Sequence, residues 1–153
     1  MTKQAPKHGV TGMALSSEEV QAFMDYLVDA TPTKAKVHKK GKEATDNSTR
    51  DAQVYFIEHE ATELYDILQK VAKMVNLYFK YDLSGIEKAQ IVHYKAPSNG
   101  YNYHIDIGAE GTAASRKVSV SIILNDEYEG GEICFRTSEE GTCQKPETGN
   151  VIA

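Results

Sequence analysis

The sequence predicts an α+β fold, with helices of the first half covering a β core supplied mainly by the second half. Two observations carry this. Ala61, Leu64, Leu68, Val71, Val75 and Tyr78 recur at intervals of three and four, which gives one apolar face to a helix over about 60–79. Beyond it, 89–94, 118–124 and 132–136 read as strands; in 118–124 the residues Val118, Val120, Ile122 and Leu124 form an apolar face, with Ser119, Ser121 and Ile123 opposite. The long helix needs a sheet to cover, and the strands can supply one.

The other elements follow from local signals. Ser16-Ser17-Glu18-Glu19 caps a short helix with one stripe of Val20, Phe23, Met24 and Leu27, and Pro32 ends it. Residues 33–53 read as a strand and then a polar loop, a candidate mobile segment. Residues 54–57 suit a short strand or the entrance to the long helix. Asn76 and Ser84-Gly85 mark the exit from that helix. In 89–94, Gln90, Val92 and Tyr94 share one face, while Ile91 and His93 share the other. Residues 108–115 are a small, flexible connection, and 125–131 is a turn whose Gly130 and Gly131 can take positive φ. The chain reads as a single domain over 1–153, with helical support in 1–88 and a β core in 89–153.

Composition excludes several classes. With 153 residues, 41% hydrophobic and 25% charged, the chain matches an ordinary globular domain with a real core. No apolar run approaches the roughly 20 residues that span a bilayer, and 1–8 lacks an apolar leader, so a cytoplasmic protein with no membrane partner is expected. A net charge of -5 argues against a broad nucleic-acid surface. The basic run Lys34, Lys36, Lys39, Lys40 and Lys42, beside Gly41 and Asp46-Asn47-Ser48, reads as a solvated loop. Cys134 and Cys143 can face each other across a hairpin around 139–141, but with no export signal two reduced thiols are the default. His8, His38, His59 and His93 read as tail, loop or surface residues.

His104 and Asp106 carry the most chemistry. On an extended strand residues two apart point the same way, so this pair can grip one ion while Ile105 faces away. An imidazole nitrogen and a carboxylate oxygen, joined by a second His, make the facial triad of non-haem Fe(II) oxygenases, which leaves three positions open.

The residues around the pair extend the pattern. Tyr94 precedes Tyr101-Asn102-Tyr103-His104-Ile105-Asp106; Arg116 opens the following strand, Leu124-Asn125 ends it, and Gly130-Gly131-Glu132 opens the next. Over about 90–149 this resembles the prolyl 4-hydroxylase-like branch of the Fe(II)/2-oxoglutarate-dependent dioxygenases. The resemblance implies a double-stranded β-helix (jelly-roll, cupin-like) core with helices on one sheet. It assigns His104 and Asp106 to iron and Tyr94 to the 2-oxoglutarate pocket. Ser119 and Ser121, on a face with room for that co-substrate, join the candidate pocket with Ile123, where some members carry a Tyr. It further implies Fe(II), 2-oxoglutarate and O2 as reactants, ascorbate as an accompanying reductant, and hydroxylation of an unactivated C–H bond with release of succinate and CO2. The substrate expected is a prolyl residue in a peptide or protein, with other side chains and small molecules as alternatives. Arg116 and Arg136 are candidate carboxylate partners, although at Arg116 a structural pairing with a loop carboxylate is the leading reading.

The distal His and the basic residue that the family pairs with 2-oxoglutarate have no counterpart within 1–153. The chain is therefore expected to be an N-terminal portion of a longer protein or, failing that, a short protein completed by a partner chain. The competing functional class is a non-catalytic β-sandwich module that holds a metal or ligand with an incomplete iron site.

Overall fold

Ser16 starts the first helix as its sequence suggests. Its hydroxyl accepts the Glu19 N–H (3.2 Å) while its own N–H donates to Glu19 Oε2 (3.0 Å), so two otherwise orphaned donors are satisfied reciprocally. This box joins β1 (Val10–Ala14) to α1 (Ser17–Asp29), which buries Val20 and Phe23 and ends ahead of Pro32. The structure is a computed structural model, and it describes residues 10–39, 42–136 and 141–153. His8, Lys40, Gly41 and the Glu139-Glu140 turn lie outside the described residues.

Next come β2 (Thr33–Lys34), β3 (Val37–Lys39), β4 (Lys42–Ala44) and β5 (Gln53–Phe56), so 54–57 resolves in favour of a strand. The basic run expected to be a loop instead enters a small antiparallel hairpin, with Val37 opposite Ala44. The long helix is α2 (Thr62–Phe79), and its buried side is Leu64, Ile67, Val71 and Val75. The stripe is rotated from the expected one: Ile67 is in the core, Leu68 lies at its margin, and Tyr78 is exposed. The exit is at Asn76, whose backbone carbonyl accepts the left-handed Lys80 N–H (2.8 Å) and whose side chain brackets the Tyr81 peptide.

The rest of the chain adds β6 (Gln90–His93), a one-turn α3 (Gly111–Ala114), β7 (Ser121–Ile122), β8 (Ile133–Arg136), β9 (Gly141–Gln144) and β10 (Asn150–Ile152). The expected strand over 118–124 is ladder-paired only at Ser121 and Ile122. All pairings are antiparallel, in two three-stranded sheets ordered β1-β10-β7 and β2-β5-β6 and two hairpins, β3-β4 and β8-β9. This is a mixed α and β architecture whose sheets are small and unclosed among the described residues. One core joins α1 and α2 to both larger sheets through Phe23, Ile57, Leu64, Val71, Ile91 and Val151. Two tyrosines lock the joint around Ile57. Tyr65 donates to the Ile57 carbonyl (2.9 Å) and accepts from Ala89 N–H; Tyr26 donates to the Phe56 carbonyl and accepts from Glu58 N–H.

Close approach and positive φ act together at Gly149 and Gly131. A side chain on Gly149 (φ +86°) would meet the Leu15 carbonyl at 2.9 Å, where β1 hands over to β10. One on Gly131 (φ +72°) would strike the Tyr128 ring, and Gly130 likewise takes positive φ, as the turn required. The expectation of free thiols is overturned. Register across β8 and β9 sets Cys134 opposite Cys143 with Cα atoms 4.0 Å apart, and the two form a disulfide. No described helix is long and apolar enough to cross a membrane.

Candidate metal centre

The site begins at Asp46, where an Asx turn fixes the loop before β5. One carboxylate oxygen accepts the Ser48 N–H (3.0 Å) and hydroxyl (2.5 Å), the other accepts the Thr49 hydroxyl (2.9 Å), and the backbone carbonyl accepts the Thr49 and Arg50 N–H groups. The loop then grips the segment ahead of His104. Asp51 N–H donates to the Gly100 carbonyl, Asn102 N–H to the Thr49 carbonyl, and Asn102 Nδ2 to the Ser48 carbonyl. Arg50 and Tyr101 form an isolated antiparallel bridge between the two segments.

Downstream of this clamp, the backbone departs from expectation. Residues 102–110 form no strand, since nothing pairs with them as a ladder. His104 and Asp106 meet nonetheless, with Nε2 to Oδ1 at 3.0 Å. The His104 Nδ1 lies 2.8 Å from the Asn102 carbonyl, which can only accept, so Nδ1 carries the hydrogen. In the neutral ring Nε2 then presents its lone pair to a carboxylate oxygen. Two acceptors at this distance call for a positive charge between them, either a proton on Nε2 or a bound cation. Two donors at right angles on a divalent first-row ion with bonds of about 2.1 Å also stand about 3.0 Å apart, a separation that a direct ion pair between the two side chains gives equally. The backbone bond at Nδ1 is the kind of outer contact that orients a ligating imidazole.

The ring is also held through its face. Tyr101 stacks on His104 (centroids 3.7 Å, 17° between planes), and the Arg50 guanidinium lies 4.8 Å from the Tyr101 centroid. Tyr94 is 41% exposed; partial desolvation of its hydroxyl raises its pKa above the usual phenol value, and the nearby Arg50 opposes the rise.

On the far side of the pair, Arg116 fixes Asp106. It makes a bidentate pair with Glu87 (2.7 and 2.8 Å), and its Nη1 donates to the Asp106 carbonyl (2.6 Å). The guanidinium holds the Glu87 carboxyl below its ordinary range. Arg116 thus pairs with a carboxylate, the kind of contact its sequence position suggested, and Arg136 is exposed at the end of β8.

The remaining candidates stand apart from this cluster. Ser119 and Ser121 are exposed, and Ile123 exchanges backbone hydrogen bonds with Gly149 and Asn150. Among the described residues no group of three His, Cys, Asp or Glu converges on one point. His93 is exposed, and His59 stacks against Tyr65. A separate surface cleft of about 400 Å³, lined by Glu18, Glu19, Glu63 and Asp66, lies at the first turns of α1 and α2 and includes no residue of the pair.

Arg50, Glu87 and the Asn102 carbonyl are the participants that sequence reasoning missed. The Asp46-Asn47-Ser48-Thr49 turn signature was the available signal for Arg50, because such a turn fixes whatever follows it. No family model, no curated protein and no solved structure matches this chain.

Proposed function

We propose that His104 and Asp106 are two protein ligands of the Fe(II) centre of a 2-oxoglutarate-dependent dioxygenase that hydroxylates an unactivated C–H bond, with a prolyl residue in a peptide or protein as the first candidate substrate. The observation that carries the reading is the 3.0 Å approach of His104 Nε2 to Asp106 Oδ1, with Nδ1 already committed to the Asn102 carbonyl. Tyr94, at the end of β6, is the residue proposed to meet the co-substrate. A double-stranded β-helix belongs to the same proposal; the described sheets are antiparallel, small and unclosed.

The ion, when bound, supplies a Lewis-acidic centre for the co-substrate and O2. The chain's own part is to orient the imidazole through Asn102 and Tyr101, and to hold the backbone of Asp106 through Arg116.

One observation favours a second reading, a module that binds metal without chemistry. The His104 and Asp106 side chains are 37% and 50% exposed, whereas oxidative chemistry gains from exclusion of water. Anaerobic absorbance separates the two. Under the first reading Fe(II) plus 2-oxoglutarate gives a visible charge-transfer band that His104→Ala and Asp106→Ala abolish; metal binding without the band leaves the second. With two ligands, iron retention is expected to be weak and succinate formation slight. Rapid Fe(II)-dependent succinate formation by the 153-residue chain would overturn the two-ligand description.

A further inference from the structure

The pair β8–β9 stands apart from the rest of the fold. It is a two-stranded ribbon with no third strand among the described residues, and none of its described residues belongs to the core that joins α1 and α2 to the larger sheets. A lone pair of strands is marginal in water, so its order depends on whatever links the strands besides the ladder. At the base, the Lys145 ammonium donates to the Tyr128 carbonyl and lies 4.7 Å from the Tyr128 ring, and the Thr148 N–H donates to Asp126 (3.0 Å). Midway along, the link is the Cys134–Cys143 disulfide, which closes a sequence separation of 9. Cys143 is exposed and Cys134 half-buried, so an incoming thiolate has access to one sulfur of the bond.

We propose that Cys134 and Cys143 form a thiol–disulfide exchange site through which a dithiol reductant opens the β8–β9 ribbon while the core stays folded. The reductant's first thiolate attacks Cys143 Sγ and forms a mixed disulfide there; the bond to Cys134 breaks, and its electron pair leaves on Cys134 Sγ, which takes a proton. The reductant's second thiolate then displaces Cys143. Two electrons and two protons have passed to the chain, and the dithiol has become a disulfide. Arg136, two residues beyond Cys134, lies on the same face of β8 and puts a cation on the side where the departing thiolate forms. A dithiol is needed because the contacts at the base of the ribbon keep the two cysteines close after the first step. Cys134 can therefore expel a monothiol and restore the bond, an intramolecular reaction that only a second thiol on the reductant outruns. The site is independent of the metal reading. It gives the chain a clipped form in oxidising surroundings and an open form in reducing ones.

The test starts from the oxidised wild-type chain without denaturant, treated with dithiothreitol or with glutathione at matched thiol concentration and then alkylated with iodoacetamide. Mass spectrometry is expected to find both cysteines alkylated after dithiothreitol and the disulfide intact after glutathione. Amide exchange in peptides covering β8 and β9 should then quicken by about a hundredfold, the loop-closure effect of a link this short, while peptides of α1 and α2 keep their protection. The double variant Cys134→Ser, Cys143→Ser should reproduce the exchange pattern of the open form. Reduction that requires urea would make the bond a structural staple and overturn the proposal. Unchanged exchange in the ribbon after reduction, or loss of protection in α1 and α2, would overturn it as well. Equal opening by glutathione would overturn the need for a dithiol. The wild-type titration decides the matter even if the double variant fails to fold.

Discussion

If His104 and Asp106 hold an ion as proposed, replacing Arg116 with Gln should loosen that site without removing a ligand. Residues 102–110 have no strand partner, so the pair is fixed by its two flanks: Asn102 held by Ser48 and Thr49, and Asp106 held by Arg116. The Arg116 Nη1 bond to the Asp106 carbonyl, at 2.6 Å, is charge-assisted, a type worth about 1.5–3 kcal/mol when shielded. Arg116 and Glu87 are 40% and 43% exposed, and water screening brings the expected contribution to about 1 kcal/mol. That is close to a fivefold loss of ion affinity, from about 1 kcal/mol at RT of roughly 0.6. Paramagnetic resonance of free Mn(II) during titration measures it. Glu87→Gln, which keeps the bond to Asp106 but frees its donor, should cost about half the free energy, or roughly twofold. Thermal melting must show both variants folded. If Arg116→Gln binds Mn(II) as tightly as the wild-type chain while His104→Ala loses binding, the two-flank account is wrong.

Three further outcomes follow from the same structure. Ser16→Ala removes the hydroxyl half of the capping box and should lower stability by about 1 kcal/mol in urea melts; Ser16→Gly should cost less. Ile57→Ala, at a side chain 1% exposed between the two tyrosine locks, should cost about 2–4 kcal/mol and show as a lower urea midpoint. In acid, Glu19 and Glu87 lose stabilisation. Lys70 and the Ser16 N–H lower the Glu19 pKa, and Arg116 lowers that of Glu87, so their contribution is complete above the ordinary carboxylate range and vanishes as pH falls through the lowered folded values. The stability gap between the wild-type chain and Glu87→Gln should therefore shrink on acidification, and a gap that stays constant as pH falls through and below the ordinary carboxylate range would refute the assignment.

The parts legible in the sequence were those governed by neighbours along the chain. Ser16 and Glu19 sit three apart, and their reciprocal bonds need nothing distant. The period of α2 announced a helix, but its buried line depends on where the two sheets lie, which is why Ile67 and not Tyr78 reached the core. His104 and Asp106 were legible as a pair and illegible as geometry. A strand was expected from their spacing, yet without a ladder the segment bends, and the Asn102 carbonyl and Arg116 bring the two side chains together. Cys134 and Cys143 were legible as facing residues, while their bond depends on the pairing register of β8 with β9. Arg50 was hidden because the ring it lies over, Tyr101, is some fifty residues away.

The place of β10 between β1 and β7 has a consequence for how the chain is made. Val10 pairs with Ile152, so closing this contact spans nearly all the described chain at an entropic cost of about 4 kcal/mol for a flexible loop of that length. At ribosomal rates, β1 waits on the order of ten seconds for its partner, with an open edge in the meantime. Helix α1, capped within its own first turn, can form long before the sheet beside it. Synthesis speed and edge protection by chaperones are therefore expected to govern the yield of folded protein more than the strength of any one contact in the finished core.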